Sequence, residues 1–121
     1  MTRDELEERN VGENLDAIMC LDPRGYGVCR ILYAGSRAYT GEPTAMHAAE
    51  ALCKAIHPGD PVYLLVGFVL LPHQVPAMDG SVSAILLARS LVLAFGAKPI
   101  LVCPQDSVEA FKTCGHAVGL P

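Results

Sequence analysis

Positive charge is scarce in this chain of 121 residues, in which 9 lysines and arginines stand against 13 aspartates and glutamates for a net charge of −4. Without a basic field there is nothing to attract a phosphate backbone or an anionic lipid surface, so neither nucleic acid nor a membrane is an expected partner. The five cysteines (Cys20, Cys29, Cys53, Cys103, Cys114) contain no C-x-x-C pair and are odd in number. This excludes a closed disulfide framework and a zinc ribbon, and suits a reducing compartment. The four histidines (His47, His57, His73, His116) share no metal-ligand spacing, so no metal is expected, and the cofactor stays open. Long apolar runs are missing as well. The longest, Val62 to Leu71, is too short for a bilayer, and Arg89 and Ser90 interrupt Ala84 to Ala97, so no membrane span is expected. The start, Met1 to Glu8, is acidic, the wrong sign for a secretory signal or an organellar presequence. No P-loop, G-x-G-x-x-G or G-x-S-x-G is found, which removes positive support for ATP, dinucleotide and serine-hydrolase chemistry.

What is present is apolar residue in quantity, 51% of the chain against 18% charged, enough for one compact core. Thr2 with Glu5, and Asn10 with Glu13, have capping-box spacing, and with Gly12 between them they predict a broken helix or two short ones before Asp22-Pro23. The turn Asp22 to Gly27 leads to a helix from Val28 to about Tyr39, ended by Thr40 to Pro43. Thr44 to His57 has the clearest helical periodicity, with Ala45, Ala48, Ala49, Leu52 and Ile56 on one face and His47, Glu50, Lys54 and His57 opposite. Pro58 to Pro61 then launches Val62 to Phe68, an apolar run of the kind found in strands covered on both faces. An irregular stretch, Val69 to Gly80, precedes a helix over Ser81–Phe95, a second strand over Lys98–Cys103, and a helix capped by Asp106.

The order predicts an α/β fold: a helical segment over 1–57, then a parallel, Rossmann-like βαβα segment over 61–121. Only two convincing strands are found, which makes this an incomplete three-layer sheet domain. The open sheet edge offers a route to a homo-oligomer.

Ligands bind at the carboxyl ends of strands in such sheets, which points to the end of the first strand and the loop after Phe68. There Gly67, Asp79, Gly80, Ser81 and Ser83 are candidates: the glycines for close backbone approach, the serines as donors, and the helix start for an anion. A bland alternative makes Asp79 or Ser81 a helix cap. His73, in the same loop, is a candidate acid or base. Arg24, Arg30 and Arg37 could grip a carboxylate or simply face solvent; Arg89, alone in an apolar helix, needs a partner or an exit to water. Cys103 ends the second strand, as a nucleophile or, more commonly, an inert thiol.

The run from Val11-Gly12-Glu13 through Asp22-Pro23-Arg24-Gly25-Tyr26-Gly27, Leu32-Tyr33 and Ala38, the strand ending Val66-Gly67-Phe68, then Pro72, Pro76, Asp79-Gly80, Ala88-Arg89-Ser90-Leu91 and Gly96-Ala97-Lys98-Pro99 resembles the D-glutamate cyclase family. The resemblance covers nearly the whole chain but only the first part of that family's catalytic domain, and the wording is closest to animal members of the mitochondrial matrix. Departures occur at Ser81-Val82-Ser83, where the family is richer in glycine and proline. The resemblance implies a lyase that dehydrates D-glutamate to 5-oxo-D-proline; it is loop placement, not the family, that offers Asp79 or His73 for the proton transfers and Gly67, Gly80, Ser81, Ser83, Arg24 and Arg89 around the substrate. A non-catalytic small-molecule-binding or interaction module is the alternative.

Overall fold

A computed structural model describes residues 1–70 and 75–120. The chain folds as two compact units, Met1–Ala55 and Ile56–Pro121.

The first unit is all helix. Thr2 opens α1 (Arg3–Met19) with a reciprocal capping box, its Oγ1 accepting the Glu5 N–H at 3.2 Å and the Glu5 carboxylate accepting the Thr2 N–H at 2.7 Å. Two orphan donors of the first turn are satisfied in this way. The helix runs unbroken through Gly12, against the interruption predicted from its sequence. The glycine has a packing role instead. A Cβ there would stand 2.9 Å from Pro43 Cβ and 3.0 Å from Met46 Cβ, so its absence lets a later helix lie directly on α1.

Between them comes α2 (Val28–Thr40), flanked by the left-handed glycines Gly27 (φ 76°) and Gly41 (φ 74°). The Asp22 carboxylate closes the preceding turn by accepting the Gly27 N–H. The helix that packs on α1 is α3 (Thr44–Ala55), two residues shorter than its periodicity suggested.

Asp16 joins these helices. Only 2% exposed, it accepts the Thr44 N–H at 2.6 Å and the Ala45 N–H at 2.9 Å, so a side chain of α1 caps the start of α3. Burial alone would raise its pKa. The N–H groups of Ala45 and Thr44, the Tyr33 hydroxyl and the Arg37 charge outweigh burial and hold the carboxyl below its ordinary value. Arg37 also bonds Glu13, so it tightens this helical unit and does not present a free cation at the surface.

The second unit holds the sheet. Strand β1 (Pro61–Leu65) pairs in parallel with the last strand, called β4 (Lys98–Val102), in the register Tyr63 to Ile100 and Leu65 to Val102. Between them the stretch expected to be irregular forms a small antiparallel ladder, β2 (Val69–Leu70) with β3 (Val75–Pro76). The crossover helix α4 (Met78–Phe95) follows and starts three residues earlier than predicted; the left-handed Gly96 ends it. A 3₁₀ turn over Gln105–Ser107 absorbs Asp106 and leads into α5 (Val108–Ala117).

The core of this unit lies between α4, α5 and one face of the sheet. Ile85, Ala88 and Leu91 of α4, with Ala97 and Phe111, are buried there. By length and composition α4 is apolar enough to cross a membrane, which its interruption by Arg89 and Ser90 had argued against. The first strand is expected from its sequence to be covered on both faces, yet exposure alternates along both strands. Val62, Leu64, Pro99 and Leu101 face the helices, whereas Tyr63 and Leu65 are 62% and 82% exposed. The described helices cover one face only, so the apolar run of β1 has no second layer to bury it.

The Asp16 cap yields a prediction with a defined pH dependence. A folded-state pKa below the ordinary 3.8 means that the stabilisation is fully present above that value and is lost as the pH falls through the folded pKa. Asp16→Asn is expected to cost about 2 kcal/mol at pH 7. The gap between variant and wild type should close as the solution is acidified, as read from urea titrations followed by helical circular dichroism.

Candidate functional site

The carboxyl end of β1 and the first turn of α4 bound a concavity of about 730 Å³. Val66, Gly67 and Phe68 form one side, Asp79, Gly80, Ser81 and Ser83 the other, and Leu64, Ala84 and Leu87 are among the apolar residues between them. One hydrogen bond holds the two sides together: the Ala77 N–H donates to the Phe68 carbonyl at 2.9 Å. It fixes where α4 begins relative to where β1 ends.

Among the described residues no side chain caps α4. Neither Asp79 nor Ser81 has the capping role allowed for them; Ala77 is the N-cap, and Ser81 Oγ donates back to the Ala77 carbonyl at 2.9 Å. The N–H groups of the first turn are those a helix leaves unpaired, and they carry the positive end of its dipole. Gly80 has negative φ and an added Cβ would meet nothing within 4 Å, so packing does not account for it; its effect is to keep the mouth of the concavity open. Among the described residues no lysine or arginine lines this space, which leaves the helix terminus as its source of positive potential.

Of the residues singled out in the sequence, Gly67, Asp79, Gly80, Ser81 and Ser83 are brought together here. Arg89 is not. It lies on α4 with its Nε donating to the Val118 carbonyl at 2.8 Å, closing the end of α5, so its partner is backbone and not substrate. Arg24 sits exposed in the turn between α1 and α2 of the first unit. His73 lies outside the described residues. His47, His57 and His116 are exposed, with His47 Nδ1 2.6 Å from Glu42.

Leu70, from the small β2 strand, also lines the concavity. The apolar pair Val69-Leu70 before the proline-interrupted loop was the available signal for it, masked by its continuity with β1. Among the described residues no three His, Cys, Asp or Glu side chains converge as a metal site would require.

Gly67 has a second function. A Cβ on it would stand 2.9 Å from Cδ of Pro104, in the loop after β4, so the two strand-end loops meet only because residue 67 has no side chain. Beside this contact Cys103, half-buried, lines a smaller recess of about 370 Å³ with Leu65, Val66 and Val102. The proline ring cannot swing away, and Gly67→Ala is expected to destabilise the second unit by ~1–3 kcal/mol. Denaturant midpoints of the two proteins measure it, and an unchanged midpoint would mean that the loops are not held together here.

Comparison with curated proteins and with solved structures returns no match. A family model does match, over residues 15–121, and its description is "D-glutamate cyclase-like, C-terminal". That span takes in every element from the last part of α1 through α5, including both sides of the concavity, and the chain belongs to the D-glutamate cyclase-like family.

Proposed function

We propose that the chain dehydrates D-glutamate to 5-oxo-D-proline at the concavity between Phe68 and the start of α4. The observation that carries this reading is an uncapped helix N-terminus, followed by an acid and two serines, opening onto the carboxyl end of a parallel strand in a member of this family. Each part of the reaction has a group suited to it.

The substrate nitrogen begins as an ammonium and must surrender two protons. Asp79 takes the first, and the freed lone pair attacks the γ-carboxyl carbon to form the C–N bond of the lactam. Negative charge then gathers on a γ-oxygen, where the first-turn N–H groups of α4 are already oriented to receive it. Asp79 delivers its proton to the departing oxygen, and the second nitrogen proton follows by the same route. The C–O bond breaks and water leaves, so one ring and one water replace one zwitterion. Ser83 supplies a hydroxyl that can donate to a substrate carboxylate, and the apolar Leu87 and Phe68 suit the three-carbon backbone as it closes.

This assignment predicts two different kinetic phenotypes. Asp79→Asn keeps the shape of the site but cannot take the proton, and should lower kcat about 100-fold or more with little change in KM. Gly80→Ala should raise KM, because the methyl group narrows the approach to the backbone, while stability holds or gains about 0.5–1 kcal/mol from the better helix former. Chiral chromatography of 5-oxoproline, with L-glutamate as the control substrate, reads both. Full activity in Asp79→Asn would remove that residue from the mechanism. Binding of D-glutamate without product would favour the non-catalytic binding module.

A further inference from the structure

Edges of sheets are usually blunted, because a row of unpaired N–H and C=O groups is a template for another strand. In the β1–β4 sheet the two edges are unequal. The Lys98 N–H donates to the Asp60 carbonyl at 2.8 Å, and the Val66 N–H to the Val102 carbonyl at 2.8 Å. Alternation along a strand then turns Lys98, Ile100 and Val102 towards β1, and Val62, Leu64 and Val66 towards β4. The outward-facing residues are Pro99 and Leu101 on β4, and Tyr63 and Leu65 on β1. Pro99 has no N–H, which leaves β4 a single outward donor. The outer edge of β1 offers two donors with their carbonyls and, among the described residues, pairs with no strand.

We propose that this edge pairs with a second copy of the same chain. Two β1 strands, antiparallel about a two-fold axis beside Leu64, place Tyr63 of each copy opposite Leu65 of the other. Each such pair exchanges two N–H···O=C bonds, and the sheet becomes four-stranded in the order β4-β1-β1-β4. The side chains agree with the backbone. Tyr63 and Leu65 are 62% and 82% exposed on one face, so the symmetric pairing sets aromatic against aliphatic twice. No charged side chain lies on this face of β1 to repel a copy of itself.

Together with Phe68 and Leu87, which border the same edge, the apolar surface available is on the order of 500–600 Å² per copy. Two copies would therefore bury at most about 1,100 Å², the size of a weak, concentration-dependent interface. The pairing needs no ligand, but Tyr63, Leu65, Phe68 and Leu87 also line the concavity, so a dimer and a bound substrate share this surface, and association is measured without D-glutamate.

Sedimentation velocity of the purified chain from about 1 to about 100 µM tests it, this being the range in which small interfaces associate. The expected result is a concentration-dependent passage from the 12.9 kDa monomer to a dimer. Tyr63→Lys and, separately, Leu65→Pro should weaken the dimer at least tenfold with the far-ultraviolet circular dichroism unchanged. Leu65→Pro removes an outward donor and leaves the β1–β4 ladder its bonds, while the exposed Tyr63→Lys guards against a proline that disturbs the strand. Ile100→Lys, on the same face but off the edge, should leave association as it is. A wild-type chain that stays monomeric throughout overturns the proposal. So does a dimer that Ile100→Lys breaks and Tyr63→Lys does not, or growth past the dimer into larger assemblies.

Discussion

The parallel pairing of β1 with β4 is the constraint on which the candidate site depends. Parallel strands cannot be joined by a tight turn, so the chain must cross over, and α4 is that crossover. Its N-terminus is thereby delivered to the end of the sheet where both strands finish. The bond from Ala77 to Phe68 then sets the distance between strand end and helix start, and Gly67 against Pro104 sets the distance between the two strand-end loops. A slip of one residue in register would exchange the exposed Tyr63 and Leu65 with the half-buried Val62 and Leu64. The helix terminus, its acid and its serines occupy their positions because the crossover and the two strand-end contacts place them there.

The helical unit rests on a different kind of interaction. Asp16 and Gly12 lie one helical turn apart on α1; one supplies two hydrogen bonds to the start of α3, and the other supplies the space in which α3 approaches. Polar satisfaction and close packing are solved on the same face of the same helix. Arg37 and Tyr33 complete the arrangement by stabilising the Asp16 carboxylate.

Local signals account for most of what could be read in advance. The capping box at Thr2 and Glu5, the glycines flanking α2, and the strand, helix, strand order are all encoded within a few residues of where they act, and the structure reproduces each of them. The position of the candidate site followed from the same logic, since a strand end and the next helix start are neighbours by topology. What could not be read was set by distant contacts. Gly12 looks like a helix breaker until Pro43 is placed against it. Arg89 looks like a substrate ligand until the Val118 carbonyl is found at its Nε. The apolar run of β1 signals a doubly covered strand, but whether a second layer exists is a property of the assembly and not of five residues.

In the proposed reaction the N-terminus of α4 receives a D-glutamate carboxylate. Titrating the isotopically labelled chain with D-glutamate, and in parallel with L-glutamate, while following amide resonances tests it without requiring turnover. Saturable, D-selective shifts concentrated at Gly67, Asp79, Gly80 and Ser81 are expected. Shifts that are absent, equal for the two enantiomers, or centred away from the strand end and helix start would contradict it.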